Sequence, residues 1–224
     1  MSEHVHIHAP EQTTHSGGPP RGPERSLELI AAILLSLATV GIAWSGYQAA
    51  KWSGLQSRRY AQANTARSQA NRASTLASQD RIQDLLNFNR WLEVSTQGNQ
   101  PLAALYQRRF RAEFLPAFNA WQAQDPVRNP SATASPLAMP QYKLSNLIRS
   151  DRLEALGDRR FEEGKEATDD TDAYVLTTVF FASVLFFAGI SARFEWLKVR
   201  TAVLVFAAAG LGYAAFRIFT LPYL

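Results

Sequence analysis

The residues of this chain that could do chemistry are few. Glu3, His4, His6, His8 and His15 are gathered near the N-terminus, and His4, His6 and His8 alternate with single residues. Imidazole is a frequent zinc or copper ligand, so these three are the weak candidates for a metal site. The alternation brings three rings to one side only in an extended strand, and no folded surroundings are evident to orient them. The expectation is therefore a polar tail without metal, and no cofactor elsewhere. No other histidine occurs and cysteine is absent. That excludes Ser–His–Asp and Cys–His catalysis from the remainder of the chain, and leaves no disulfide or thiolate chemistry.

Two further patterns invite a site. Glu162, Glu163, Glu166, Asp169, Asp170 and Asp172 form an acid-rich run that would attract a divalent cation at a membrane surface. The run lacks the alternating spacing and glycine of a calcium loop, and a solvated stretch ahead of an apolar helix is the plainer reading. Gly210 and Gly212 flank one residue inside an apolar segment. There Gly210 is expected to serve close helix packing with Ala214 or Ala207, not to cradle a phosphate. No catalytic residue is assigned, and the chain is read as a non-enzyme.

Three apolar segments, Ala31–Ile42, Ala173–Ala192 and Thr201–Phe216, contain no charged residue. A hydrocarbon core of about 30 Å needs about 20 residues of helix, and bilayer-exposed backbone must satisfy its own hydrogen bonds. The expected fold class is an all-α membrane protein: three transmembrane helices with an extramembrane antiparallel helical bundle or stalk. The expected layout is a disordered His-containing tail at 1–25, a first span at 26–46, an extramembrane helical domain at 47–172, a second span at 173–192, a short basic cytoplasmic loop at 193–200 and a third span at 201–221. Trp44, Tyr47, Trp52, Tyr174, Trp196 and Tyr223 fall near span ends, where amphipathic rings are favoured.

The formal net charge is +4 and the pI about 9.6. Because the basic residues are spread along helices and flank the spans, membrane lipids are the expected partner and nucleic acid is not. Orientation signals conflict. The loop after the second span carries Arg193, Lys198 and Arg200, whereas Lys51, Arg58 and Arg59 follow the first span. Short loops obey the positive-inside rule better than long domains do, so a cytoplasmic N-terminus and an extracytoplasmic large domain are expected.

After Ser26, a plausible N-cap, no proline occurs until Pro101. One helix can run through much of Ser26–Thr96, with Gly46 and Gly54 as the expected points for a bend. Within it Ala63, Ala66, Ala70, Ala73 and Ala77 repeat at heptad spacing, a seam of small side chains suited to tight antiparallel pairing. Leu85, Phe88, Trp91 and Leu92 are expected to extend that seam with larger residues. A second helix is expected from Pro101, with Leu102, Tyr106, Phe110, Phe114, Phe118 and Trp121 on one face and Arg108, Arg109, Arg111 and Glu113 on the other. Pro116 should kink or divide it. After a proline-rich connection at Asp125–Pro140, a third helix is expected from about Gln141 or Leu144. It would either break at Gly157 or Gly164 or continue into the second span.

The segments His4–His8, Leu27–Ser45, Gly46-Tyr47-Gln48-Ala49-Ala50-Lys51-Trp52 and Phe194-Glu195-Trp196-Leu197-Lys198, in this order, resemble a family of uncharacterised bacterial inner-membrane proteins. The resemblance implies a bacterial inner membrane and a C-terminal pair of spans, and it brings no functional residue. The expected function is a non-enzymatic, membrane-anchored interaction or structural protein, working as a homo-oligomer or with a membrane-protein partner. Its helix-packing residues would be Ala63, Ala66, Ala70, Ala73, Ala77, Gly210 and Ala214. One alternative is a subunit of an oligomeric channel or transporter, although the span interiors offer only Ser36, Thr39, Thr177, Thr178, Ser183 and Tyr213 as polar groups. The other is a sensory module signalling through a separate partner.

Overall fold

The computed structural model describes residues 22–224. Helix α1 spans Gly22–Thr96, α2 Gln100–Gln107, α3 Leu115–Gln122, α4 Ser145–Ser191 and α5 Leu197–Thr220, with a 3-10 turn at Pro136–Ala138. No strand occurs among the described residues. Helices α1, α4 and α5 each contain a stretch long and apolar enough to cross a membrane. The chain divides into two compact units. One is the chain up to Lys51 together with Asp170–Leu224, and the other is Trp52–Asp169. Helix α1 passes from one unit to the other without interruption, and so does α4.

In the first unit the three apolar stretches pack on one another through Ala31, Leu34 and Ala38 of α1, Phe181, Val184 and Ala188 of α4, and Leu204, Ala207 and Ala214 of α5. Small residues set the approach. A Cβ on Gly41 would stand 2.5 Å from the Phe181 ring, and one on Gly210 would stand 3.2 Å from Val184 Cγ2. Ala214 is fully buried. Turned outward are large apolar side chains such as Leu37, Val40, Phe206 and Phe216, as expected where hydrocarbon is the solvent. Helix α5 starts four residues earlier than the third span was expected to. Arg200 N donates to Trp196 O at 3.0 Å, which draws the end of the basic loop into the first helical turn.

In the second unit α1 and α4 run antiparallel. Ala63, Ala66, Ala70, Ala73 and Ala77 are all buried, and the seam they face is also made of small residues. Ser150, Gly157 and Gly164 are buried seven apart along α4. Ser150 Oγ donates to Ala70 O at 2.9 Å, and a Cβ on Gly157 would lie 3.4 Å from Ala63 O and 3.0 Å from Arg67 Cγ. Gly157 and Gly164 therefore do not break α4; they let two backbones come close. Gly164 lies under the Tyr60 ring, where a Cβ would meet carbon at 2.7 Å. Ion pairs flank the seam, Arg67 with Asp158 at 2.9 Å and Arg59 with Glu163 at 3.1 Å. They are partly exposed and add little by themselves, so the seam rests on contact between small residues.

Such contact leaves no room for bulk. Ala70→Leu would insert a branched side chain beside Ser150, and overpacking of this kind costs about 1–3 kcal/mol. We expect a lower unfolding midpoint by circular dichroism in nanodiscs. An unchanged midpoint would mean that the two helices separate readily.

Helix α1 also runs through Gly46 and Gly54, where an added Cβ would meet nothing within 4 Å. Neither glycine is reserved for a close contact.

Candidate functional site

The heptad phase of the alanine seam continues along α1 to positions 80, 84, 87, 91 and 94. Asp80 and Asp84 thus stand where the next two alanines would be, and the seam becomes polar. Asp84 is 1% exposed, and burying a carboxylate without compensation is costly. Arg111 supplies the compensation. Its Nη1 donates to Asp84 Oδ2 at 2.8 Å, and its Nη2 lies 3.2 Å from Asp80 Oδ2 and 2.7 Å from Glu113 Oε2. Tyr142 Oη donates to Asp84 Oδ2 at 3.0 Å, and Asn146 Nδ2 donates to Asp80 Oδ2 at 2.9 Å. The guanidinium therefore ties α1 to the α2–α3 connection, and Tyr142 and Asn146 bring in the start of α4. Asp84 Oδ1 is buried and makes no hydrogen bond.

The electrostatics follow from these neighbours. Burial pushes the Asp84 carboxyl above the usual carboxylate range, opposed by the Tyr142 hydrogen bond and the Arg111 charge. Burial, with the Asp84 charge beside it, raises the Tyr142 hydroxyl as well. Glu113 is held low, first by a hydrogen bond from the Ser145 side chain. Ser145 opens α4, so Glu113 places a negative charge at a helix N-terminus, where it is favoured.

Beside this node lies an aromatic core of Phe88, Trp91, Phe110, Phe114, Phe118 and Trp121. Ring centroids approach to 4.8 Å for Trp91–Phe118 and for Phe110–Phe118, and to 5.2 Å for Phe88–Trp121, mostly edge to face. These aromatics do not come from one helical face. The chain leaves helix between Gln107 and Leu115, and Pro116 falls in the first turn of α3, a position that needs no proline N–H. The break lies upstream of Pro116, and it turns Arg111 inward to the aspartates instead of outward with Arg108 and Arg109. Leu85 is also displaced from its expected role. It is exposed, because Asp84 and Phe88 take the inner face of α1 and Leu85 projects about 100° away from Asp84.

At the loop end of this unit, α1, α2, the end of α3 and residues 125–127 line an open cleft of about 550 Å³. Trp91 and Trp121 form its floor, and Gln100, Gln107, Gln122 and Asp125 stand around it. Trp121 Nε1 is anchored by donation to Thr133 O at 2.7 Å. Asp125 has φ of 47°, the left-handed conformation that aspartate tolerates better than most residues. It closes a turn in which its carbonyl accepts from Arg128 N and Asn129 N.

The first unit holds a separate polar cluster. Gln48 is fully buried; its Oε1 accepts from Leu224 N at 3.1 Å, and its Nε2 lies 3.5 Å from Leu224 O. Tyr174 Oη donates to Pro222 O at 3.0 Å. Residues 222–224 are thereby pinned against α1 and α4. Gln48→Ala should speed amide exchange at Leu224 by about tenfold, the effect of losing roughly 1.4 kcal/mol of hydrogen bonding. Unchanged exchange would show that packing alone holds the segment.

Of the residues singled out in the sequence, the five seam alanines come together on one face of α1. Gly210 and Ala214 lie among the apolar helices of the other unit. His4, His6 and His8 lie outside the described residues. Among the described residues no three His, Cys, Asp or Glu side chains converge as a metal site. Glu163 of the acid-rich run pairs with Arg59 and Arg160. Sequence reasoning missed the Asp84–Arg111 node, although Asp80 and Asp84 at seam positions were its signal. It also missed Gln48, for which no local signal exists.

These features define an all-α protein with three helices long and apolar enough to cross a membrane and a helical unit built on small-residue pairing. No protein-family model, no curated protein and no solved structure matches the chain.

Proposed function

We propose that this is a non-enzymatic, membrane-anchored helical interaction protein of a bacterial inner membrane. It acts through contacts of its helical unit with a membrane-protein partner. The observation that carries this reading is the continuity of α1 and α4, each of which supplies both an apolar membrane-length stretch and one side of the helical unit. The small-residue faces that would otherwise favour self-association are already buried within one chain. What stays exposed on the helical unit includes Ile82, Leu85 and Leu86 on the side of α1 away from Asp84, apolar area of the kind that contacts partners.

The test is photo-crosslinking in membranes from positions 82 and 86. A discrete adduct with another membrane protein supports the reading. Adducts only with a second copy would make the protein a homo-oligomer instead, and no adduct at either position would overturn association through this face. Orientation is tested separately by reporter fusions after Gln124 and Leu224. We propose that residues 47–172 are extracytoplasmic, and a reporter active in the cytoplasm at Gln124 would reverse this.

A sensory role is the second reading. It is favoured by the cleft, whose floor residue Trp91 belongs to the same helix that carries the first apolar stretch.

A further inference from the structure

The cleft at the loop end of the helical unit has a composition that its surroundings do not share. The chain carries 23 Lys and Arg residues, yet none lines this cleft, and Asp125 is the one charged side chain among its lining residues. The remaining polar groups are neutral. The side chains of Gln100, Gln107 and Gln122 make no hydrogen bond to any described residue, in contrast to Gln124 behind them, which is bound to Thr133 N at 2.7 Å and near Met139 Sδ. The floor is apolar. Trp91 and Trp121 are 8% and 5% exposed, set by the aromatic core and by the Trp121 bond to Thr133. A volume of about 550 Å³ falls in the range of small-molecule sites, and their usual make-up is an apolar floor with a few convergent polar groups.

We propose that this cleft binds a short neutral saccharide. Each glutamine amide offers a donor and an acceptor side by side, which matches a pair of adjacent hydroxyls, since each hydroxyl both donates and accepts. The Asp125 carboxylate, with Oδ2 4.0 Å from Arg128 Nη1, keeps Oδ1 to accept from a further hydroxyl. The C–H face of a sugar ring suits a floor of indole and alanine carbon. No cation lines the cleft to attract phosphate or carboxylate ligands, Arg128 being paired with Asp125 at 4.0 Å, and a wholly apolar ligand would leave the half-buried Gln107 amide without a partner. The inference goes beyond association with a membrane partner and does not depend on it, because the ligand site and the exposed face of α1 at Ile82 and Leu86 use different residues.

The experiment uses the full chain in lipid nanodiscs, free of sugar-based detergent, with saturation-transfer NMR and tryptophan fluorescence. The probes are maltotriose, triacetylchitotriose, a neutral tripeptide and inorganic phosphate. One of the two saccharides should bind, and the double substitution Gln107→Ala with Gln122→Ala should weaken it by about tenfold or more, as expected for two lost hydrogen-bonding groups. The unfolding midpoint of that variant should stay unchanged, and Gln62→Ala on the α1–α4 pair should leave binding intact. Binding of neither saccharide, saccharide binding insensitive to the double substitution, or tighter binding of the peptide or phosphate would each overturn the proposal.

Discussion

Arg111→Met should destabilise the helical unit by about 3–5 kcal/mol, the usual cost of removing one partner from a buried ion pair. Asp84 is buried with one carboxylate oxygen already lacking a hydrogen bond, and without the guanidinium its charge has only Tyr142 beside it. The deficit should depend on pH in a defined direction. The folded protein holds the Asp84 proton more tightly than an unfolded chain does. Its contribution to stability is therefore fully present below the ordinary carboxylate pKa and is lost as pH rises through the raised folded value. Removing Arg111 raises that value further, so the penalty should be largest near neutrality and should shrink as the solution is acidified into the carboxylate range. Glu113 acts with the opposite sign, because its depressed pKa makes its contribution fade as pH falls. Chemical denaturation of wild type and variant at several pH values measures both effects. Pairing Arg111→Met with Asp84→Leu should recover most of the loss, since replacing a whole buried pair by apolar groups is often neutral. A double variant as unstable as the single one would show that Arg111 matters through Asp80 and Glu113 instead.

Phe118→Ala should cost a similar amount, about 3–5 kcal/mol, because a fully buried aromatic ring is removed where surrounding rings cannot collapse into the space. Phe118 is 0% exposed and meets Trp91 and Phe110 at 4.8 Å, with Phe114 and Trp121 slightly farther. Those neighbours come from α1, the α2–α3 connection and α3, so one truncation loosens three segments together. Tryptophan emission should shift to the red as Trp91 and Trp121 gain water, and the unfolding midpoint should fall. A blue-shifted or unchanged spectrum with native stability would show that the core repacks without this ring. The same variant should also impair any ligand held over Trp91 and Trp121, which is why the glutamine substitutions, which leave the core intact, are the cleaner probes of the cleft.

The apolar segments, the unbroken run of α1 and the alanine seam were all legible in the sequence, because each is a local property of composition or spacing. A membrane-length stretch is recognised by its lack of charge and a heptad by its period, and neither depends on what lies opposite. The partner of the seam was not legible. Gly157 and Gly164 look like helix weaknesses in isolation, and only their burial against Ala63 and Tyr60 shows them to be contact positions. Phe110, Phe114 and Phe118 suggested one helical face at their spacing of four. In the folded protein a break at residues 108–114 brings them together from different segments. That break lets Arg111 reach Asp84 on α1, a long-range pairing that the local sequence around Arg111 does not contain.

By itself the sequence determined that this is a helical chain with three apolar membrane-length segments and one paired helical unit. Hydrophobicity and periodicity act within a few turns, and so they can be read residue by residue. The tertiary structure alone decided which small residues meet, that Arg111 turns inward, and that Gln48 holds Leu224 across 176 positions of sequence. It also decided that two tryptophans and three glutamines from separate helices surround one cleft. Each of these is a contact between residues distant in the chain. Their energies depend on burial and mutual geometry, quantities that exist only once the helices have packed.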